Sequence, residues 1–318
     1  MKYGFGIDLG GTTVKLAFFD ETGAMLAKWE IPTVTANNGE QILPDIATSV
    51  RKYLTENSID PGNILGIGLG VPGAVRPDGT VNRCVNLGWG VFNVQTELEK
   101  LTGFPVKAGN DATIAALGEC WKGGGAGYHT LVLATLGTGV GGGIILDSKP
   151  LYGANGAGGE IGHMVLNRNE AEKCGCGKQG CVEQYCSATG IVRVAKKMLS
   201  ASDAACGLRN IDNFTCKDVF ALSSGGDAFA QEILEQIYAY MGEFLANACC
   251  VIDPEIIVLG GGVSRAGQPL LDGVEKYFKK YAFHAQVNTK FALATLGNDA
   301  GVYGAFKLAL DEQEGKLC

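Results

Sequence analysis

Short apolar runs and longer helical periodicities alternate along the first third of the chain. Ile42, Ile46 and Val50 recur at helical spacing, which predicts a helix over 39–56. Runs of apolar residues predict strands at 3–8, 14–19, 25–31, 64–70 and 105–108. Two further helices are predicted over 94–102 and from 111 to about 121. The segment Asn82–Trp89, which precedes both helices, is predicted to be a polar-aromatic loop.

The same alternation continues to the end of the chain. A strand at 130–135, a glycine-rich turn and a second strand at 143–147 form a predicted hairpin. The predicted helices that follow are 187–199, 229–252, 270–281 and 299–310. Strands are predicted at 256–259 and near 291–295, and 200–216 has no regular pattern.

Composition limits the classes of function. A chain of 318 residues is long enough for two domains, and 46% hydrophobic against 19% charged residues indicates a globular protein. The net charge of −7 argues against nucleic-acid or anionic-membrane partners. No apolar run approaches the roughly 20 residues of a membrane span, and the N-terminus lacks a signal-peptide pattern. We therefore expect a cytoplasmic protein whose eleven cysteines are mostly reduced.

Two strand–turn–strand units carry glycine-rich turns. Asp8-Leu9-Gly10-Gly11-Thr12-Thr13 forms the first turn, and Leu136-Gly137-Thr138-Gly139-Val140-Gly141 opens the second. Glycine lets the backbone offer N–H groups to phosphate oxygens, and Asp8 is suited to holding a magnesium ion. For a single turn the alternative is a tight hairpin with a capping aspartate. The repetition favours two related halves that bind one triphosphate.

Asn110-Asp111-Ala112-Thr113 stands where a predicted strand gives way to a helix. Asp111 falls in the first helical turn, where the helix N-terminus stabilises a carboxylate. One interpretation is a residue that serves only the helix. The other is a general base held at a strand-to-helix junction. In the loop before it, asparagine amides suit sugar hydroxyls and Trp89 suits a cleft wall, although an ordinary surface loop is the alternative.

Cysteines cluster at one place, in Cys174-Gly-Cys176-Gly-Lys-Gln-Gly-Cys181. With His163 they give a Cys3His set that suits tetrahedral zinc, and four protein ligands indicate a structural metal. A disulfide or three spare thiols are the alternatives. Glu160 and Glu183 flank the four ligands, so folding of this knuckle would fix both carboxylates. The second imidazole nitrogen of His163 remains available for a substrate hydroxyl.

A third glycine cluster, Gly260-Gly261-Gly262, follows the buried strand at 256–259. Its small residues permit close approach of a planar ligand, for which adenine and its ribose are candidates. A simple strand-to-helix turn is the alternative.

These motifs, taken in order, resemble those of the ROK family of sugar kinases and repressors over essentially the whole chain. The motifs that carry the resemblance are Asp8 to Thr12, Val71-Pro72-Gly73, Asn86 to Trp89, Asn110 to Ala112, Leu136 to Gly143, Glu160 to His163, Cys174 to Glu183 and Gly260 to Val263. The resemblance implies an actin-like ATPase (ribonuclease H-like) fold, with two α/β domains around a central cleft. It implies a small domain of 1–110 plus about 299–318 and a large domain of 111–298 that contains the zinc knuckle.

The family's glucokinase members phosphorylate glucose at its 6-hydroxyl with ATP and magnesium, and the resemblance implies the same here. Asp111 would be the base. The residues implied to hold the sugar are Gly73, Asn86, Asn110, Asp111, Glu160, His163 and Glu183. Those implied to contact ATP are Gly6, Asp8, Gly10, Gly11, Thr12, Thr13, Gly137, Thr138, Gly139, Gly141, Gly261 and Gly262. The implied zinc ligands are His163, Cys174, Cys176 and Cys181.

Other functions remain open at this stage. An N-acetylmannosamine, N-acetylglucosamine or other hexose kinase would use the same motifs, since the sequence does not show the room around the sugar's 2-position. The family's repressors carry a DNA-binding segment ahead of the kinase-like body, which does not match the short N-terminus and acidic balance. A binding protein without turnover is the third possibility. A homodimer or a dimer of dimers is expected by resemblance alone.

Overall fold

The computed structural model of the chain describes residues 1–315. Twelve strands are present in this part of the chain. They are β1 (Tyr3–Leu9), β2 (Thr13–Asp20), β3 (Met25–Pro32), β4 (Ile64–Val71), β5 (Thr80–Cys84), β6 (Trp89–Asn93), β7 (Val106–Asn110), β8 (Leu131–Leu136), β9 (Val140–Leu146), β10 (Lys149–Pro150), β11 (Ile256–Gly260) and β12 (Lys290–Leu293).

Ten α-helical segments accompany the strands in residues 1–315. They are α1 (Ala36–Gly39), α2 (Ile42–Glu56), α3 (Val94–Thr102), α4 (Asp111–Lys122), α5 (Glu183–Cys186), α6 (Ala188–Ser200), α7 (Cys216–Ser224), α8 (Ala228–Ile252), α9 (Gln268–Tyr281) and α10 (Ala300–Gln313). The predicted strands and helices are all present, with ends that differ by a few residues.

The chain divides into two compact units. The first comprises Met1–His129, Gly143–Gly159 and Thr295–Cys318, and the second comprises Thr130–Gly142 and Glu160–Ala294. The last three residues, which the predicted small domain includes, lie outside the described part. The division differs from the predicted boundary after residue 110, because α4 groups with the N-terminal unit. Gly118 of α4 and Gly304 of α10 allow this grouping, since a Cβ at Gly304 would lie 1.6 Å from the carbonyl oxygen of Ile114.

The first unit is built on a five-stranded sheet in the order β3-β2-β1-β4-β7. β1, β4 and β7 are parallel, and β2 and β3 continue the sheet antiparallel. One face packs its apolar residues against α2 and α3, and burial of Phe5, Ile46 and Leu98 there supplies the main stabilisation. The other face packs against α10, where the rings of Phe19 and Phe306 stack 4.7 Å apart.

The second unit contains a parallel arrangement of β8, β11 and β12, with β11 in the middle. All five residues of β11 are buried, which explains its uninterrupted apolar sequence. The long helix α8 packs closely on α9 because Gly242 has no side chain; a Cβ there would lie 2.5 Å from the backbone nitrogen of Phe278. Among the described residues no helix, α8 included, is long and apolar enough to cross a membrane.

The prediction of a loop over Asn82–Trp89 was wrong in part. β5 and β6 pair antiparallel there and form a two-stranded sheet, with the turn Val85–Leu87 between them. Trp89 is buried, and its indole N–H donates to the carbonyl of Gly39 at 3.2 Å. The indole therefore packs within the first unit.

Candidate active site

The carboxyl ends of three parallel strands collect polar residues in the first unit. Asp8 is the penultimate residue of β1, Gly73 follows β4, and Asn110 ends β7. The sheet register places Asp8 opposite Gly70, and Val71 opposite Asn110. Ligands of open parallel sheets bind at such carboxyl ends, so this edge is where chemistry is expected.

Asn110 and Asp111 are held rigidly at the start of α4. Asn110 caps the helix, since its Oδ1 accepts from the N–H of Thr113 at 3.1 Å. Its amide nitrogen donates to the carbonyl of Gly73 at 3.0 Å and to Asp111 Oδ1 at 2.9 Å. The N–H of Ala112 also donates to that oxygen, at 2.8 Å. Two donors on Oδ1 orient the Asp111 carboxylate.

The first glycine-rich turn closes on itself. The N–H of Gly10 donates to the carbonyl of Thr13 at 3.0 Å, and the hydroxyl of Thr33 donates to the carbonyl of Gly10 at 2.7 Å. Gly11 and Thr12 are exposed at its tip. The predicted phosphate turn is therefore anchored at its base and open at its tip.

Asp8 stands beside this turn with a lysine that the sequence analysis did not single out. Lys15 Nζ lies 3.5 Å from Asp8 Oδ2. Burial raises the pKa of Asp8, and Lys15 partly offsets that increase. Gly6 and Gly301 let α10 approach this strand, since a Cβ at Gly301 would lie 2.6 Å from the carboxyl carbon of Asp8. The antiparallel register, which pairs Asp8 with Lys15, is the signal that locates this cation.

Asn86 is exposed in the turn between β5 and β6. Two residues earlier, Cys84 is buried, and burial together with the Asp111 charge raises the pKa of its thiol. Cys84 therefore lies within electrostatic range of Asp111. Gly73, with φ of 107°, has its Cβ position 3.5 Å from the carbonyl of Arg83 in the same segment.

In the second unit the loop Gly137–Gly139 joins β8 to β9. The N–H of Gly137 donates to the carbonyl of Gly139 at 3.0 Å, and Thr138 is exposed between them. Gly141 lies two residues beyond the loop, within β9. Because β8 and β11 are parallel, Gly261 and Gly262 emerge at the same edge as this loop. Gly261 has φ of 82°, and a Cβ there would lie 2.6 Å from the backbone of Leu136.

Glu160 precedes and His163 ends a single helical turn that packs against Val140, the residue after this loop. A Cβ at Gly162 would lie 2.0 Å from the carbonyl oxygen of Val140, so only glycine permits the contact. Glu160 Oε2 lies 3.9 Å from His163 Nε2, and the two side chains are 49% and 37% exposed. An acid and an imidazole that are this close and accessible can bind neighbouring hydroxyl groups.

The other imidazole nitrogen of His163 faces the cysteine knuckle. Nδ1 lies 3.9 Å from Cys174 Sγ, and Cys176 Sγ lies 3.6 Å from Cys181 Sγ. The four ligand atoms are all within 4.8 Å of one another, the one such group found among residues 1–315. Two thiolates on one tetrahedral zinc are separated by about 3.8 Å. A disulfide needs about 2.05 Å, which the 3.6 Å separation exceeds. The donor set and its spacing fit a structural zinc.

Glu183 connects this cluster to the glycine loop. Its Oε1 accepts from the Cys174 thiol at 3.4 Å, and its Oε2 accepts from the N–H of Val140 at 3.1 Å. A Cβ at Gly139 would lie 2.0 Å from Oε2. The structure therefore brings together the loop, Glu183, His163 and the cysteines within the second unit.

An ionic cluster behind the knuckle was missed by the sequence analysis. Glu170 is buried, and its Oε2 lies 2.6 Å from an Arg193 nitrogen and accepts from the Tyr185 hydroxyl at 2.6 Å. Lys197 adds a contact at 3.2 Å. Arg193 and Lys197 occupy one face of α6 at i, i+4 spacing, but only the fold shows which acid they meet.

The sequence of this chain is similar to those of a known protein family. The ROK family model matches residues 4–312. A glucokinase of Halalkalibacterium halodurans is 43% identical over 317 residues, which cover 98% of this chain and 96% of that relative. The N-acetylgalactosamine kinase AgaK of a Shewanella species is 32% identical, with 95% of this chain and 94% of that relative covered.

The fold of this chain is also similar to that of a solved structure from the same family. A ROK family glucokinase from Streptomyces griseus, in complex with glucose and AMPPNP, has a TM-score of 0.74 at 32% identity, with 96% of this chain and 98% of that chain covered. The predicted α/β, actin-like ATPase fold is confirmed by this likeness. With its family motifs in order and the family model matched over nearly its full length, this chain belongs to the ROK family.

Proposed function

We propose that this chain is an ATP-dependent hexose kinase that phosphorylates glucose at the 6-hydroxyl. The observation that carries the proposal is the 43% sequence identity between this chain and a glucokinase over nearly the whole length of both. The coarser conclusion, a sugar kinase, agrees with its family and with the polar residues at the strand ends.

Asp111 is assigned the role of general base. As the 6-hydroxyl oxygen attacks the γ-phosphorus of ATP, its proton passes to the Asp111 carboxylate and the bond to ADP breaks. Support comes from the two donors on Oδ1, which fix the orientation of the carboxylate. Phosphoryl transfer depends mainly on positioning and charge neutralisation, so a single oriented carboxylate suffices.

The remaining hydroxyls are assigned to polar groups that their neighbours hold in place. Asn110 and Gly73 share a hydrogen bond of 3.0 Å, and Asn86 stands in the turn near Cys84. Glu160 and His163 form an accessible pair, and the N–H of Val140 holds Glu183 in place. Groups fixed in advance lose little entropy when the sugar binds.

The glycine turns are assigned to the nucleotide. Gly6, Asp8 and residues 10–13 are assigned to its phosphates, as are residues 137–141. Gly261 and Gly262 are assigned to its adenine and ribose. Magnesium, when bound with ATP, neutralises phosphate charge, and Asp8 is the carboxylate suited to hold it directly or through water. Lys15, 3.5 Å from Asp8, supplies a second positive charge.

Zinc is assigned to His163, Cys174, Cys176 and Cys181. With four protein ligands it would be structural, holding His163 and Glu183 in position for the sugar. Support comes from the Nδ1 of His163, which faces Cys174, while its Nε2 faces Glu160. One imidazole thus serves the metal and orients the polyol site.

An N-acetylhexosamine is the second candidate acceptor, because a relative that is 32% identical is an N-acetylgalactosamine kinase. The same base, zinc site and nucleotide loops would serve it. The two candidates differ only in the space around the sugar's 2-position.

A coupled assay of ADP release across glucose, mannose, fructose, N-acetylglucosamine, N-acetylmannosamine and N-acetylgalactosamine tests the proposal. Glucose is expected to give the highest kcat/KM, and removal of magnesium is expected to abolish turnover. Preference for an N-acetyl sugar would move the acceptor assignment and keep the kinase. Absence of turnover with every sugar would support a binding protein and reject the proposal.

A further inference from the structure

The segment that leaves the cysteine knuckle runs along the loop Gly137–Gly139. Three hydrogen bonds join them within the second unit. The N–H of Ala188 donates to the carbonyl of Gly137 at 2.8 Å, and the Thr189 hydroxyl donates to the carbonyl of Thr138 at 2.8 Å. The third is the bond from the N–H of Val140 to Glu183. The start of α6 is thus attached to consecutive peptide groups of the loop.

Peptide geometry converts these contacts into a direction. In a trans peptide the C=O of one residue and the N–H of the next point in opposite directions. The bond to the carbonyl of Gly137 therefore turns the N–H of Thr138 away from α6. The bond from the Thr189 hydroxyl does the same for the N–H of Gly139.

Those two N–H groups have no hydrogen-bond partner within residues 1–315. The neighbouring N–H groups are engaged, that of Gly137 by Gly139 and that of Val140 by Glu183. Two adjacent free N–H groups in a glycine-rich turn form the kind of concavity that binds anions. Their common direction depends on what holds the carbonyls behind them.

The Thr189 hydroxyl lies beside the side chain that caps α6. Its Oγ1 lies 3.1 Å from Ser187 Oγ. Ser187 accepts from the N–H of Gly190 at 2.9 Å and donates to the carbonyl of Glu183 at 2.7 Å. The first turn of α6 is therefore tied to the residue that also contacts the Cys174 thiol.

We propose that Thr189 is a positioning residue for the nucleotide: its hydroxyl sets the Thr138–Gly139 peptide so that its N–H points at a phosphate of ATP. The inference rests on the proposed function, which assigns this loop to ATP. It adds a residue from α6 that touches the loop and is not itself assigned to ATP, sugar or metal. It also makes the knuckle segment a support of the nucleotide loop as well as of the sugar site.

The test compares Thr189→Val, which keeps the shape and removes the donor, with Thr189→Ser, which keeps the donor. The readouts are the Kd of a fluorescent ATP analogue with magnesium, the KM values for ATP and for glucose, and zinc content. Ser200→Ala is the matched control, because Ser200 donates only to Lys197 at the far end of the same helix.

Thr189→Val is expected to raise the Kd and the KM for ATP about threefold to tenfold, which is the effect of one hydrogen bond. The KM for glucose and the zinc content are expected to stay within twofold of wild type, and Thr189→Ser to retain most of the nucleotide affinity. An unchanged Kd in Thr189→Val would overturn the inference. Equal losses in both Thr189 variants, or a parallel rise in the KM for glucose, would show a merely structural role and also overturn it.

Failure of the proposed function has a different signature. Wild-type protein that binds the nucleotide analogue without turnover would reject the kinase, while the Kd comparison would still decide the role of Thr189. Wild-type protein that does not bind the analogue would reject both.

Discussion

Replacing Glu170 by glutamine removes one buried charge without changing the shape of the side chain. Glu170 is 3% exposed, and its carboxylate meets Arg193, Lys197 and the Tyr185 hydroxyl. Its other oxygen accepts from the N–H of Glu172 at 3.0 Å. The substitution therefore leaves the guanidinium of Arg193, only 19% exposed, without its buried partner.

The expected loss of stability follows from how far these side chains are exposed to solvent. Removing one partner of a fully buried ion pair costs about 3–5 kcal/mol. Lys197 is 50% exposed and Arg193 retains Glu172, so solvent and the remaining acid reduce the loss. We expect the free energy of unfolding of the second unit to fall by about 2–3 kcal/mol in Glu170→Gln.

Glu172→Gln is the matched control because Glu172 contacts the same two cations but is 61% exposed. A solvent-exposed pair contributes about 0–1 kcal/mol, so this variant should unfold close to wild type. Urea unfolding, monitored by circular dichroism, measures the free energy of unfolding of both variants. Equal losses in the two variants, or a loss below about 1 kcal/mol in Glu170→Gln, would refute the reasoning from burial.

Four further predictions concern acid stability, catalysis, the metal and a buried carboxylate. Burial raises the pKa of Glu170, but hydrogen bonds from Arg193 and Tyr185 outweigh burial and hold the pKa well below its usual range. Because the pKa is depressed in the folded state, the Glu170 carboxylate stabilises the fold above its ordinary pKa of about 4.3, and this stabilisation is lost as the pH falls below that value. The free energies of unfolding of wild type and Glu170→Gln in urea should therefore converge toward pH 3. Asp111→Asn should fold and bind glucose, as an amide oxygen can accept the same bonds, yet lose about 10²–10⁴-fold in kcat; near-normal turnover would reject the base assignment. Cys176→Ser should both lower the zinc content and raise the Kd for glucose. A zinc-free variant with unchanged glucose affinity would show that the metal does not support glucose binding. Glu119→Gln should lower the melting temperature by about 4–12 °C, because Glu119 is buried and accepts from three backbone N–H groups, and a shift as small as that of exposed Glu97→Gln would show that these bonds are not needed.

Local pattern was enough for most elements because each obeys a strong periodicity. The helix Val94–Thr102 has the predicted ends, since Asn93 caps it and Gly103 ends it in a left-handed conformation. β11 is a continuous buried apolar run. The hairpin of β5 and β6 was missed because its polar residues hide the alternation, and burial of Val81 and Trp89 in the first unit supports it. Helix α7 was also missed, although Thr215 and Asp218 form a capping box that the sequence contains.

The sequence also indicates most of the Cys/His cluster that the structure contains. Three cysteines within eight residues are close in any fold, so the sequence alone predicted that most of this cluster would come together. His163 lies eleven residues before Cys174, and only the turn against Val140 brings its Nδ1 to 3.9 Å from that sulfur. Lys15 reaches Asp8 for a comparable reason, the register of β1 and β2.

What the sequence by itself determined is the set of local elements, the glycine turns, the cysteine knuckle and the resemblance to a family, because all of these depend on residues close together in the chain. Tertiary structure alone decided which distant groups meet. Glu183 reaches the N–H of Val140 across 43 positions, Thr189 reaches the carbonyl of Thr138 across 51, and Glu170 meets Arg193 on α6. Such contacts depend on how strands, helices and loops pack, and packing is a property of the whole unit that no local pattern contains.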